Sequence, residues 1–137
     1  AVDGRPVAIR DIAVPIFCVS TTSDHVAPWR SVYKLHLLAD TDITFVLGNG
    51  GHNAGIVSEP GHEGRHYRLR TSPEDEPFMS PESWEQEADH HDGSWWPAWV
   101  AWLEARSSGL VTPPAPGGGL HAYRPRGDAP GTYVMQM

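Results

Sequence analysis

The sequence is poor in cysteine, in basic residues and in long apolar stretches. Its 137 residues include one cysteine, so no disulfide forms within the chain, and the scaffold of a small disulfide-rich secreted protein is excluded. Ten Lys and Arg stand against seventeen Asp and Glu, a formal net charge of -7, without the basic stripe that nucleic acids bind. No apolar run approaches the roughly 20 residues of a membrane-spanning helix. These absences predict a cytoplasmic domain that binds no nucleic acid and spans no membrane.

The first residues also lack the features of a chain start. Residues 1–5 contain neither an initiator methionine nor the basic-then-apolar order of a secretory signal peptide. We therefore expect the sequence to be the end of a longer protein. With 39% hydrophobic and 20% charged residues, its length suffices for one small domain with a modest core.

Two short apolar, β-branched runs, Ile12–Thr22 and Ile43–Leu47, predict buried parallel strands. Between them, from Pro28 onward, apolar side chains recur at the spacing of one helix face. These side chains are Trp29, Val32, Tyr33, His36 and Leu37. Strand, crossover helix and strand form a βαβ unit, in which ligands bind beyond the carboxyl ends of the strands.

An acid and a histidine follow these two runs. Asp24 lies in Ser-Asp-His-Val-Ala-Pro-Trp after the first run, and His52 lies in the glycine-rich turn Gly-Asn-Gly-Gly-His-Asn-Ala-Gly after the second. A carboxylate in such a place is often only a helix cap. Together, in this order on successive strand ends, the two residues match the last two members of an α/β-hydrolase triad. We therefore predict that Asp24 and His52 are catalytic, with His52 taking a proton from a nucleophile.

The sequence contains no evident nucleophile for this pair. Cys18 lies inside the apolar run Ile-Phe-Cys-Val, where burial raises the pKa of a thiol. No Gly-x-nucleophile-x-Gly elbow surrounds Cys18 or any serine. We predict that Cys18 is structural and that the isolated chain is inactive.

Two histidine-rich segments have only a weak likeness to metal sites. The segment His62–His66 matches the H-E-x-x-H pattern of zinc peptidases, which requires a helix. Pro60 and Gly61 before it and Gly64 within it oppose a helix, so we expect a solvated loop. We expect His90–Asp92 to be the polar end of a helix, and we predict no metal site.

The second half of the sequence contains two predicted helices. Ser58–Pro81, rich in Pro, Gly, Glu and Arg, predicts a long surface connection. Ser80 as N-cap predicts a helix that reaches His91. A second helix, ending near residues 107–109, carries an aromatic stripe, which either packs or lines a groove for an acyl or polymer chain. The stripe comprises Trp95, Trp96, Trp99, Trp102 and Leu103.

A Pro/Gly-rich tail ends the sequence, with Thr132–Met135 as a last extended segment. We divide the chain into residues 1–109, a portion of a catalytic domain, and residues 110–137, the tail.

Three motifs follow one another along the chain. They are D-H-x-x-P-W from Asp24, F-V-L-G-x-x-G-H-x-A-G-I-V from Phe45 and G-S-W-W-P-x-W-x-x-W-L from Gly93. In this order, together with Pro130–Val134, they resemble the C-terminal segment of the class I poly(3-hydroxyalkanoate) synthases, or polyhydroxybutyrate polymerases. The resemblance extends from about Ile12 to the end of the sequence.

The resemblance implies an α/β-hydrolase fold, of which this chain holds the last parallel strands and helices as an incomplete sheet. It implies an acyltransferase that polymerises (R)-3-hydroxyacyl-CoA into polyester and releases CoA at a Cys-His-Asp site, with the cysteine upstream of this sequence. By this resemblance Asp24 and His52 are the catalytic acid and base. Asp24 either orients His52 or helps to activate the substrate hydroxyl. Departures from the family pattern at Asn53, Ser58–Pro60 and Asp92 concern substrate preference more than the reaction.

The resemblance also implies a set of partners. These are the acyl-CoA substrate and the growing polyester chain, the surface of polymer granules in the cytoplasm, the rest of the synthase chain and a second copy in a homodimer. No cofactor is implied, because the substrate is itself an acyl-CoA thioester. Two alternatives stay open: an esterase or polyester depolymerase of the same fold, and a non-catalytic granule-associated module that uses the tryptophan stripe as an apolar patch.

Overall fold

A four-stranded mixed sheet organises the first of two units of the chain, residues 1–106, and residues 107–137 form the second. The computed structural model describes residues 3–4, 6–115, 117 and 125–136. The strands lie in the order β1 (Ile16–Thr21), β2 (Ile43–Gly48), β3 (His66–Ser72) and β4 (Asp89–Asp92). β1 and β2 are parallel, whereas β3 pairs antiparallel with both β2 and β4. The predicted α/β class and parallel pair are confirmed, and the other half of the sheet is antiparallel.

β2 is the buried centre of this sheet. All six of its residues are buried, and Phe45 and Val46, on opposite faces, are both 0% exposed. A strand covered on both faces has a continuous apolar sequence, which is why the run was recognisable. Phe45 packs against a cluster that contains Trp29, Tyr33 and Trp84. On the other face, Val46 packs with Tyr67 and Trp95.

The connection between β1 and β2 is helical, as predicted, but its second part is wound more tightly than an α-helix. Helix α1 covers Trp29–Val32, and a 3-10 helix continues over Tyr33–Leu37. In a 3-10 helix, residues three apart are aligned, so the ring of His36 stacks on that of Tyr33 with 4.1 Å between centroids. The placement of Leu37 on the apolar face assumed the 3.6-residue period of an α-helix and is wrong, since Leu37 is 56% exposed.

β3 lies within the segment that the sequence predicts as a surface connection, and this prediction is wrong for His66–Ser72. Tyr67 and Leu69 alternate along the strand and pack against the cluster around Val46. Between them lies Arg68, whose Nη1 donates to a backbone carbonyl at 2.8 Å. Because the acceptor belongs to a distant residue, Ala88, the local sequence gave no sign that a charged side chain here has a partner.

Helix α2 (Pro81–Glu87) begins as predicted and ends early. The backbone N–H of Ser83 donates to Oγ of Ser80 at 3.1 Å, which confirms Ser80 as the N-cap. Ala88 has an extended backbone, φ -66° and ψ 133°, and the chain then enters β4. The prediction of a helix through His90–Asp92 is therefore wrong, because these residues pair with β3.

Helix α3 (Trp96–Glu104) confirms the second predicted helix. Trp95, immediately before it, is 7% exposed, whereas none of the residues of α3 is fully buried. No helix in the described part of the chain is long and apolar enough to cross a membrane.

The second unit contains a 3-10 helix over Tyr133–Met135, so the extended segment predicted there is wrong for these residues. Part of the predicted tail, residues 116, 118–124 and 137, lies outside the described residues. The predicted roles of residues 1–109 and 110–137 stay predictions.

Candidate active site

The turns that follow β1 and β2 lie side by side. Because the two strands are parallel, their carboxyl ends meet at one edge, where Thr21 pairs with Gly48. Backbone hydrogen bonds extend this pairing past the strands. The N–H of Thr22 donates to the carbonyl of Gly48 at 2.9 Å, and that of Ser23 to the carbonyl of Gly50 at 3.0 Å. The segment that leads to the predicted acid is thus held against the one that leads to the predicted histidine.

Asp24 and His52 are in direct contact. Nδ1 of His52 lies 2.9 Å from Oδ2 of Asp24. The other carboxylate oxygen, Oδ1, accepts the backbone N–H groups of Val26 at 2.8 Å and Ala27 at 2.9 Å. The Asp24 side chain is 10% exposed and that of His52 48%. The predicted proximity of the pair is confirmed, while their catalytic roles stay predictions.

Hydrogen bonds lower the pKa of Asp24 to about 2. The largest cause is the backbone N–H of Ala27, followed by the ring of His52. Near neutral pH the carboxylate is therefore ionised and has no proton to donate. Nδ1 of His52 must carry the proton of their contact, and Nε2 of the neutral ring keeps its lone pair. The arrangement can accept a proton at Nε2.

Two glycines allow the turn of His52, residues 49–58, to lie against β1. Gly50 has φ +105°, a conformation that strains any residue with a side chain. A Cβ at residue 55 would lie 2.4 Å from Cγ2 of Thr21, so only glycine fits there. Oγ1 of Thr21 donates to the carbonyl of Gly51 at 3.2 Å. The glycine-rich sequence is thus needed for the close approach of two segments.

Several curated proteins are similar to this chain over nearly its whole length. Poly(3-hydroxyalkanoate) polymerase 2 of Ectopseudomonas oleovorans is 37% identical over 134 residues, 96% of this chain and 23% of that protein. The poly(3-hydroxyalkanoate) polymerase subunit PhaC of Cupriavidus necator is 37% identical over 132 residues, 96% of this chain and 21% of that protein. The poly(3-hydroxyalkanoate) polymerase of Methylorubrum extorquens is 38% identical over 128 residues, 92% of this chain and 20% of that protein.

The chain resembles a segment of the poly(3-hydroxyalkanoate) polymerases. This similarity confirms the resemblance that the three sequence motifs predict. The chain spans about a fifth of the length of the curated relatives it matches. No protein-family model matches it.

The histidines of the two segments that resemble metal sites lie in β3, in β4 and in the loop before β3. His62 lies in a turn, with Nδ1 3.0 Å from Oε1 of Glu59, so the predicted loop is confirmed there. His66 begins β3, and its ring lies 5.4 Å from that of His90 in β4. Within the described ranges, no three side chains of His, Cys, Asp or Glu are grouped as a metal site requires.

Cys18 is in the middle of β1, where it packs against the apolar cluster around Phe45. Burial raises the pKa of its thiol to about 11. The predicted burial effect on this thiol is confirmed.

Sequence reasoning missed the residues that hold the turn of His52 in place. Three consecutive side chains, just before and at the start of α3, each donate a hydrogen bond to a carbonyl of that turn. The pairs are Ser94 Oγ to Ser58, Trp95 Nε1 to Gly55 at 3.3 Å and Trp96 Nε1 to Ile56 at 3.1 Å. The Ser-Trp-Trp sequence could have indicated these hydrogen bonds, because the N–H of a packed indole ring usually needs an acceptor.

Proposed function

We propose that the chain is the C-terminal segment of a polyhydroxyalkanoate synthase with an α/β-hydrolase fold, and that it supplies the acid and base of a Cys-His-Asp site. One observation carries the proposal. An ionised Asp24 holds Nδ1 of His52 at 2.9 Å, beyond the ends of two parallel strands. The similarity to several poly(3-hydroxyalkanoate) polymerases supports the synthase reaction.

In the proposed reaction, His52 is the general base. Its side chain is 48% exposed, so a thiol supplied by the rest of the synthase can reach Nε2. Nε2 takes the thiol proton, and the thiolate attacks the thioester carbonyl of (R)-3-hydroxyacyl-CoA. The carbon–sulfur bond to CoA breaks, the CoA thiolate takes the proton back from His52, and an acyl-enzyme remains.

Chain growth uses the same base. The 3-hydroxyl of one unit loses its proton to Nε2 of His52 and attacks the thioester carbonyl of another unit. An ester bond forms, and the displaced thiolate recovers the proton. No cofactor is required, because the thioester already activates the acyl group.

Asp24 orients His52 in this proposal. Its Oδ1 is occupied by two backbone N–H groups and its Oδ2 by the ring of His52. This occupancy favours the orienting role over direct activation of a substrate hydroxyl. The negative charge of Asp24 also stabilises the imidazolium that forms when His52 takes a proton.

The proposed partners are those that the family resemblance implies. They are the acyl-CoA, the polyester chain, the surface of cytoplasmic granules, the rest of the synthase and a second copy of it. An esterase or depolymerase would use the same acid and base with a different nucleophile, and the similarity to three poly(3-hydroxyalkanoate) polymerases favours the polymerase.

The exposed apolar side chains of α3 favour a second role, attachment to a granule. Trp99 is 41% exposed and Val100 47%. Trp95 is 7% exposed and so lies outside this patch. A Trp99→Ala variant is therefore the appropriate probe of granule binding, and it leaves the hydrogen bonds to the turn of His52 in place.

A chimeric enzyme tests the proposed function. In the polymerase of Cupriavidus necator, this chain replaces the 132 residues that it matches, and CoA release from (R)-3-hydroxybutyryl-CoA is measured. We expect an active chimera, and we expect His52→Ala to lower its rate by about a thousandfold because the general base is lost. His62→Ala, a change at an exposed surface histidine, is the control and should leave the rate unchanged. A folded His52→Ala chimera with undiminished CoA release would contradict the proposal.

A further inference from the structure

The residues just before and at the start of α3 hold the turn that carries His52. The side chains of Ser94, Trp95 and Trp96 donate to three carbonyls between residues 55 and 58. Two short sequences, about 40 residues apart in the chain, are thereby joined by three hydrogen bonds. The proposed reaction assigns no part to these three side chains.

The residues whose carbonyls accept the tryptophan N–H groups also form backbone hydrogen bonds with the residues next to His52. The N–H of Gly55 donates to the carbonyl of Gly51 at 3.0 Å, and that of Ile56 donates to the carbonyl of Asn53 at 3.1 Å. Gly51 and Asn53 flank His52. Each tryptophan therefore bonds a residue whose own N–H holds a neighbour of the histidine.

The donors are themselves anchored to the sheet. Trp95 is 7% exposed and packs with Val46 of β2 and Tyr67 of β3. Its ring also lies 6.4 Å from that of Phe17 in β1. The N–H of Gly93 donates to the carbonyl of Arg65 at 2.6 Å, which ties the start of the segment to the residue before β3. Contacts with the sheet therefore hold this segment independently of its hydrogen bonds to the turn.

Most side chains of the turn are exposed, so buried apolar contacts contribute little to holding it in place. His52, Asn53 and Ala54 are all exposed, and so are Ile56 at 38% and Val57 at 57%. A loop with few buried apolar contacts opens locally at low free-energy cost unless other bonds restrain it. The hydrogen bonds from residues 94–96 supply that restraint.

We propose that Ser94, Trp95 and Trp96 are positioning residues for His52, and that they hold its turn so that Nδ1 stays within hydrogen-bond distance of Asp24. The three hydrogen bonds position the turn whatever the reaction is, and the effect of this positioning on the reaction rests on the proposed function.

Nitrogen-15 NMR of the 137-residue chain tests the positioning of the turn with Trp96→Phe. This change keeps an aromatic ring and removes the N–H that bonds Ile56. At a pH where the ring of His52 is neutral, we expect the Nδ1-protonated tautomer to lose population, because a ring released from Asp24 exchanges between both tautomers. Amide exchange at Ile56 and Val57 should accelerate about two- to tenfold, as expected for one lost hydrogen bond.

Trp99→Phe is the matched control, since it makes the same change on α3 at a residue that is 41% exposed. We expect it to leave the tautomer of His52 and the exchange rates at their wild-type values. If Trp96→Phe gives the same tautomer population and exchange rates as Trp99→Phe, the positioning role is overturned.

Kinetics of the chimera provide a second measurement that does not depend on the isolated chain. Trp96→Phe should lower kcat about two- to tenfold with KM unchanged, because it alters the orientation of the base and not the binding of substrate. A wild-type kcat in this variant, in an assay where His52→Ala abolishes activity, would overturn the positioning role and leave the proposed function standing. Activity retained by His52→Ala would instead contradict the proposed function, while the tautomer measurement still decides the geometry.

Discussion

Gly55 is a residue at which the turn of His52 packs tightly against Thr21 of β1. A Cβ there would lie 2.4 Å from Cγ2 of Thr21 and 2.8 Å from the carbonyl oxygen of Asn49. We expect Gly55→Ala to lower the free energy of unfolding by about 1–3 kcal/mol, the usual cost of forcing extra atoms into a packed site. Urea unfolding followed by circular dichroism measures this change.

Two further variants show whether the loss of stability comes from the clash with Thr21 or from adding a methyl group to any glycine of the turn. At Gly51 the nearest atom to an added Cβ is 3.9 Å away, so Gly51→Ala should cost much less. Adding Thr21→Ser to Gly55→Ala removes the clashing methyl, keeps the hydroxyl that bonds Gly51, and should restore part of the loss. Equal stabilities for the two single glycine variants would show that the close approach does not limit residue 55.

The ionisation of Asp24 makes a pH-dependent contribution to stability. Its pKa falls from 3.8 to about 2 on folding, so the charged form favours the folded state. The contribution is fully present above pH 3.8 and is lost as the pH falls through about 2. The difference in unfolding free energy between the wild type and Asp24→Asn should shrink over this range. Urea titrations at several pH values measure it, and a difference that does not change with pH would refute the assignment.

The N-terminus of α2 depends on a local signal that the sequence contains in full. Ser80 accepts the N–H of Ser83 at 3.1 Å, and Pro81 occupies the first helical position. We expect Ser80→Ala to reduce the unfolding free energy by about 1 kcal/mol, the typical cost of losing an N-cap acceptor. Thermal or urea unfolding measures the loss.

Ser80→Asp is the control for this cap, because a carboxylate also accepts the N–H of Ser83 and is favourable at a helix N-terminus. Its stability should stay near that of the wild type. A Ser80→Asp variant as unstable as Ser80→Ala would mean that the hydroxyl acts through another contact, such as its 2.9 Å bond to Oγ of Ser83.

The elements that were predicted correctly are those whose signals are local. β2 is mostly apolar, because both faces of this strand are covered, and α2 has its own cap. β3 and β4 were missed, because polar side chains obscure their strand character. Arg70 in β3, for example, forms an ion pair with Glu76, in which Nη1 donates to Oε2 at 2.7 Å. This pair forms only when the segment has folded.

The chain as a whole brings Asp24 and His52 into contact, but its one cysteine is not an activated nucleophile. Cys18 lies in the middle of β1, and burial raises the pKa of its thiol to about 11, so it is protonated near neutral pH. We expect the purified 137-residue chain to release no CoA from (R)-3-hydroxybutyryl-CoA. A thiol-trapping assay for free CoA checks this, with the chimera as the positive control. CoA release that depends on His52 in the isolated chain would show that the chain carries a nucleophile of its own.

The amino-acid sequence alone determined the βαβ unit, the order of the acid and the histidine, and the resemblance to the poly(3-hydroxyalkanoate) polymerases. Each of these depends on local patterns or on residue identity. The contact between Asp24 and His52, the fit of Gly55 against Thr21 and the hydrogen bonds from Trp95 and Trp96 depended on the folded chain. The two residues of each contact are 28 to 40 residues apart in the sequence. They come together only when the strands have paired and the core has packed.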